Sequence, residues 1–164
     1  MRRLIRTAVT LATVLAMLAL AGAASAASPH FIKASASGPN TAGQLVVSFK
    51  EAGLGDNELI TYRASADATA TYACINGGGK HPQATNKEEV SGPVEATGTF
   101  SSGKNGSISQ TLTLNPPSPG SFTCPPGQRL VLANVSYQNV AITDTTNNVT
   151  ESIPGTFSRV FFAL

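Results

Sequence analysis

Two hydrophobic patterns follow one another along the chain. Leu11 to Ala21 form a nearly unbroken apolar run. Beyond residue 26, apolar residues recur instead in short period-two runs separated by Gly, Pro, Asn and Asp. No stretch there keeps apolar residues at i, i+3, i+4 and i+7 over three turns, so no substantial helix is expected. Period-two alternation sends successive side chains to opposite faces of a strand, and its recurrence predicts many short strands.

Phe31 to Ser35 reads as an edge strand, and Gln44 to Lys50 as a second with Leu45, Val47 and Phe49 on one face. Glu51 to Asp56 reads as a turn in which Gly53 and Gly55 can take positive φ. Leu59 to Ala64 and Ala68 to Ile75 follow as two strands, with Ala70, Tyr72 and Cys74 facing inward in the latter. Asn76 to Glu89 reads as a long polar loop. Val94, Ala96, Gly98 and Phe100 line one side of the next strand. Lys104-Asn105-Gly106 is a hairpin signal leading to Ile108, Leu112 and Leu114 on one face. Pro116-Pro117-Ser118-Pro119-Gly120 excludes strand and helix alike. Leu130 to Thr143 is the longest strand-like run, and its apolar parity shifts near Gln138-Asn139, which predicts a bulge or bend. Thr145 to Asn148 turns the chain, and Val149 to Ile153 and Thr156 to Phe162 close the sheets. About eight or nine strands, with no repeat and no dividing linker, predict one all-β domain over residues 27–164, a sandwich or a barrel.

Composition changes the picture once the first 26 residues are set apart. Met1 to Arg6 is positively charged, the apolar run follows, and Ala24-Ser25-Ala26 supplies small residues for cleavage. This order predicts a helical secretory signal peptide over residues 1–26. No second long apolar run follows, so no membrane span is expected after cleavage. The whole chain carries a formal charge of +2, but Arg2, Arg3 and Arg6 lie in the signal. Removing them leaves 8 Lys+Arg against 9 Asp+Glu, a charge of −1. A globally basic nucleic-acid binder is thereby excluded. The expected location is extracellular, and an oxidising destination makes a Cys74–Cys124 disulfide the default for the two cysteines. Tyr72 and Phe122 each precede a cysteine by two positions, so each aromatic is expected to pack beside the bridge.

Candidate chemistry is sparse. The mature chain has two histidines, His30 and His81, and no Gly-x-Ser-x-Gly motif. Two distant histidines and two bridged cysteines do not supply a zinc set. Asp144 to Asn148 is oxygen-rich but reads as a turn, where Asp and Asn bond their own backbone. Glu88-Glu89 reads as an edge-guarding charge. Gly77-Gly78-Gly79-Lys80 lacks the spacing and following helix of a phosphate loop. No cofactor is expected. The candidate binding loop is Asn76 to Lys87, with Asn76, His81, Asn86 and Lys87 as polar contacts. The alternative reading is that Asn76 and Asn86 cap and cross-brace that loop.

Gly53-Leu54-Gly55, Tyr72-Ala73-Cys74, Asn76-Gly77-Gly78, Pro82, Asn86-Lys87, Asn105-Gly106 and Cys124-Pro125-Pro126-Gly127 together resemble a group of small secreted actinobacterial proteins. The resemblance covers most of the mature chain and implies an antiparallel immunoglobulin-like β-sandwich, but no activity. Gly53-Leu54 and the strand Asn105 to Leu114 are also similar to neocarzinostatin-type apoproteins, which carry a small chromophore. Those have two short-range disulfides, whereas this chain has one of long span. The combined expectation is a secreted, non-enzymatic binding or surface-interaction module for an extracellular ligand or protein. A small-molecule carrier and a protease inhibitor, using Pro116 to Cys124, are the alternatives.

Overall fold

A computed structural model describes residues 28–76 and 86–164. Residues 1–26, expected as a signal, and His81 lie outside them. Eight strands follow in order: β1 His30–Ser37, β2 Leu45–Ala52, β3 Leu59–Asn76, β4 Lys87–Ser101, β5 Ser107–Leu114, β6 Gln128–Asp144, β7 Val149–Ile153 and β8 Phe157–Val160. They form two antiparallel sheets. One has the order β1-β2-β5; the other has β4-β3-β6-β7, with β8 also pairing with β6. Leu45, Val47, Ile108 and Leu114 from the first sheet share one buried core with Ile60, Val135, Tyr137 and Ile142 from the second. The fold is therefore a β-sandwich, as the alternation requires: each sheet has an apolar face that must be covered.

The two strands expected on either side of Ser65–Asp67 are one, the 18-residue β3. Asp67 does not break it, because its side chain points outward and accepts a hydrogen bond from Asn139 Nδ2 at 2.8 Å. The expected irregularity near Gln138-Asn139 lies opposite. Ser65 pairs with Ala141 but Asp67 pairs with Gln138, so β6 carries one extra residue there. Asn139 takes φ of 52°, a left-handed conformation that asparagine tolerates. The bulge resets the parity of β6, keeping both Tyr137 and Val140 buried.

Lys104-Asn105-Gly106 does not close a hairpin. It carries the chain from β4 in one sheet to β5 in the other, through a short 3-10 turn at Gly103–Asn105. The turn packs against the β2–β3 connection. Leu54 N donates to Gly106 O at 3.0 Å, and the buried Ser102 hydroxyl donates to Gly55 O at 2.7 Å. The loop expected to run to Glu89 also stops earlier, since Lys87, Glu88 and Glu89 pair with Ala73, Tyr72 and Thr71 of β3.

At the centre of the sandwich, the Phe49 and Tyr62 rings lie 4.4 Å apart between the sheets, with Phe31 and Phe100 around them. Glu51 completes the inward row of β2 rather than starting a turn, and it is fully buried. Tyr62 OH donates to its Oε2 at 2.6 Å, while Oε1 has no protein partner. Burial raises the Glu51 pKa above its ordinary value, and Asp144 adds to the rise; the Tyr62 bond and His30 oppose it. A raised folded-state pKa means that the fold favours the neutral carboxyl. Its stabilisation is complete below the unfolded value of 4.5 and is lost as pH climbs through the folded value. Glu51→Gln cannot ionise and can still accept the Tyr62 proton. Its stability relative to wild type should therefore improve from pH 4.5 to pH 8, by about 1 kcal/mol, in thermal melts at both pH values. A wild-type protein that gains on the variant over that range would contradict this.

Candidate binding site at the disulfide-stapled end

The end of β3, the start of β4, the end of β5 and the start of β6 meet at one end of the sandwich. Cys74 of β3 is joined there to Cys124 in the β5–β6 connection, with a Cα–Cα distance of 5.5 Å. The described residues contain no free cysteine. β3 alternates buried and less buried residues until Ala70, then stays buried through Ile75. Both of its faces are covered at this end. The Pro-rich connection lies down on the domain: Tyr72 OH donates to Pro117 O at 2.7 Å, and Phe122 packs against the core. Burial raises the Tyr72 pKa.

Asn40 braces the connection between β1 and β2 from within. Asn40 Oδ1 accepts from Ala42 N and Gln44 N at 2.9 and 3.0 Å. Its side-chain amide donates to Gln44 Oε1, and Gln44 Nε2 in turn donates to Asn115 Oδ1 beyond β5. Tyr137 OH reaches up from the core to Gly43 O at 2.7 Å, and burial drives its pKa far upward. Gly43 has φ of 81°, and a Cβ there would lie 2.5 Å from Leu132 Cδ2. The left-handed backbone favours glycine, and any larger residue would also push the tip of Leu132 aside.

A second irregularity in β6 anchors the C-terminal segment. Thr71 pairs with Asn134 and Tyr72 with Leu132, so Ala133 is an extra residue. Its carbonyl accepts the amides of both Phe161 and Phe162, at 2.8 and 3.1 Å. Arg159 lies 5.1 Å over the Phe161 ring and donates to Pro39 O at 3.1 Å, tying this segment to the β1–β2 connection. Between these parts lies an open groove of about 450 Å³, with Val131, Leu132, Phe161 and Phe162 on its walls and Thr41, Ala42 and Arg129 beside them. Apolar walls beside one guanidinium suit a ligand with an apolar body and an anionic or acceptor group.

Asn76, Asn86 and Lys87 belong to the same end, but only the first two converge. Asn76 ends β3 opposite Gln128, and Asn86 Nδ2 donates to Gln128 Oε1 at 3.4 Å. Asn86 O accepts from Cys74 N at 3.0 Å. Both therefore brace the stem of the connection whose middle includes His81. Lys87 starts β4 and lines a separate groove with Thr71, Glu89, Asn134 and Leu164. Asp144 behaves as a turn residue: its oxygens accept from Thr146 N, Asn147 N and Asn147 Nδ2. Among the described residues no three His, Cys, Asp or Glu side chains gather as a metal site, and no helix is long and apolar enough to cross a membrane.

The groove was hidden in the sequence, although Phe161-Phe162 carried a signal. Adjacent residues of a strand point to opposite faces, so two consecutive phenylalanines mark the place where inward packing ends. No family model, curated protein or solved structure matches the chain.

Two outcomes test this end of the molecule. Cys74→Ser with Cys124→Ser should lower the unfolding free energy by about 4 kcal/mol in denaturant titrations, the chain-entropy value for a bridge of this span. Gly43→Ala should cost about 1–3 kcal/mol, because the new methyl displaces Leu132 and the backbone is left-handed.

Proposed function

We propose that this protein is a secreted, non-enzymatic binding module built on an immunoglobulin-like sandwich, with its ligand groove at the disulfide-stapled end. The groove walled by Val131, Leu132, Phe161 and Phe162 carries this reading. Loops and terminal segments on a rigid sandwich are where binding residues concentrate. Here the connections beside the groove are fixed by Asn40, Gln44 and the Cys74–Cys124 bridge, so little ordering is left for ligand binding to impose. The strand order β1-β2-β5 against β4-β3-β6-β7 is consistent with an immunoglobulin-like arrangement. The basic, apolar, small-residue order of residues 1–26 supports export, and a disulfide suits the oxidising compartment that export reaches.

A small-molecule carrier is a special case of the same reading and would use the same walls. The inhibitor reading is less favoured, because it needs Pro116 to Cys124 to project toward a protease. Pro117 O is engaged by Tyr72, and Phe122 is turned into the core.

The probe 8-anilinonaphthalene-1-sulfonate combines aromatic rings with an anion. It should bind the folded protein with a fluorescence gain at one site. Phe162→Ser and Arg129→Ala should each weaken binding about tenfold, equivalent to about 1.4 kcal/mol, with the near-ultraviolet circular dichroism unchanged. Absence of binding, or binding indifferent to both substitutions, would count against the groove.

A further inference from the structure

Two lysines meet on the outer face of the three-stranded sheet. Lys33 of β1 stands directly opposite Lys50 of β2, which is opposite Ser109 of β5. Like charges in directly opposed cross-strand positions repel. Neither lysine has an ion-pair partner, since the ion pair found among the described residues is Arg63–Glu95. No carboxylate shares this face. Glu51 points into the core; Asp67, Glu88, Glu89, Glu95, Asp144 and Glu151 belong to strands of the five-stranded sheet, and Asp56 and Glu58 lie in the β2–β3 connection.

A local irregularity creates the lysine pair. Phe31 pairs with Glu51, yet Lys33, two residues on, pairs with Lys50. In regular register Ile32 would take that place, and Lys33 would fall on the core-facing row beside Phe49. The extra residue at Ile32 turns Lys33 outward and leaves Ile32 itself 56% exposed. The bulge lets Phe31, Ala34 and Ala36 all face the core, and it does so by leaving an isoleucine in water and two ammonium groups side by side on the outer face. Bulges re-aim side chains in this way beside functional sites.

The hydroxyls behave differently on the two faces. On the five-stranded sheet they satisfy one another across strands: Thr61 with Thr99, Thr69 with Ser91, and Thr143 with Thr150. On the three-stranded sheet, Ser35, Ser48 and Thr111 form the row next to the lysines, and Ser109 extends the lysine row. None of these four hydroxyls bonds to another described residue. A shallow groove of about 340 Å³ runs between Lys33, Ser48, Lys50, Ser109 and Thr111.

We propose that this face binds a linear phosphate-bearing polymer, with one phosphate seated between Lys33 and Lys50 and its neighbours running along the Ser/Thr rows. A phosphate presents enough oxygens to accept from both ammonium groups and from adjacent hydroxyls at once. Lysine and hydroxyl donors are ordinary phosphate contacts. The face offers no guanidinium fork for bidentate recognition of a carboxylate, and the Phe49 that also lines the groove is buried with its ring in the core, so it gives no exposed ring on which to stack a base or sugar. The rows from Ser107 to Thr113 extend about 20 Å at strand spacing, which suits a chain rather than a single ion. This site is independent of the groove at the disulfide-stapled end.

Isothermal titration with inorganic polyphosphate at low salt tests the proposal. Wild type should bind, with affinity falling as salt rises. Lys33→Ser with Lys50→Ser should lose at least about tenfold in affinity, and the salt slope should fall by about 2. Lys104→Ser, in the β4–β5 connection and not among the groove's lining residues, should match wild type. Polygalacturonate, a carboxylate polymer, should bind more weakly than polyphosphate. No binding, equal loss in Lys104→Ser, or tighter binding of polygalacturonate would each overturn the proposal. Lys50→Ser alone should keep or raise the thermal midpoint at low salt, because it relieves the repulsion. A lowered midpoint would mean that the pair supports the fold, which would also overturn the argument.

Discussion

The ladder between β3 and β6 is the constraint on which the other elements depend. These are the two longest strands, at 18 and 17 residues, and they lie at the centre of the five-stranded sheet. Two regular strands of that length would drift apart in side-chain parity wherever the sequence inserts a residue. β6 absorbs two insertions, at Ala133 and near Asn139. The bend near Asn139 divides the far edge of β6, so that β7 pairs with Val140–Asp144 and β8 with Asn134–Tyr137. The insertion at Ala133 leaves a carbonyl free of the ladder, and that carbonyl holds Phe161 and Phe162. The groove at the disulfide-stapled end is thus a consequence of how the central ladder keeps its register.

Much of this was legible from period-two alternation. Leu45, Val47 and Phe49 on one face, the inward Ile108, Leu112 and Leu114, and the parity break at Gln138-Asn139 were all readable, because burial imposes a strict two-residue register. The reading failed where a polar residue stood in an apolar row. Glu51 continues the Leu45–Val47–Phe49 row, but the turn that Gly53 and Gly55 signal reads as starting there. Only the Tyr62 hydroxyl, from the opposite sheet, explains its place inside. Lys104-Asn105-Gly106 failed for a different reason. Turn chemistry reports local backbone conformation and not the sheet that the next strand will join. The left-handed Gly106 is present, but it serves a crossover between sheets.

The candidate site was legible at the level of the stem and not of the surface. Asn76, Asn86 and the cysteine pair fall together at one end of the sandwich, since a polar stretch between strands must emerge beyond their tips. What the residues do there depends on partners far away in sequence. Asn86 meets Gln128, and Arg159 meets Pro39. Lys33 is the sharper case. A regular strand through Phe31 and Ala34 cannot place both on the core side, and the insertion at Ile32 that reconciles them also decides where the lysine points.

The two surfaces also differ in how they could discriminate among ligands. At the groove, shape and desolvation of Phe161, Phe162 and Leu132 would select an apolar body, an interaction that salt barely affects. On the three-stranded face, exposed lysines and hydroxyls work in high dielectric, where each contact is weak and screened beyond about 10 Å at moderate ionic strength. Residues 27–164, with a formal charge of −1, have no strong global field to draw a polyanion in. Attraction must then come from the local absence of carboxylates around Lys33 and Lys50, and useful affinity from repetition along a polymer. Segregating the acids onto the other sheet and the connecting turns is what lets a nearly neutral domain present one positive face.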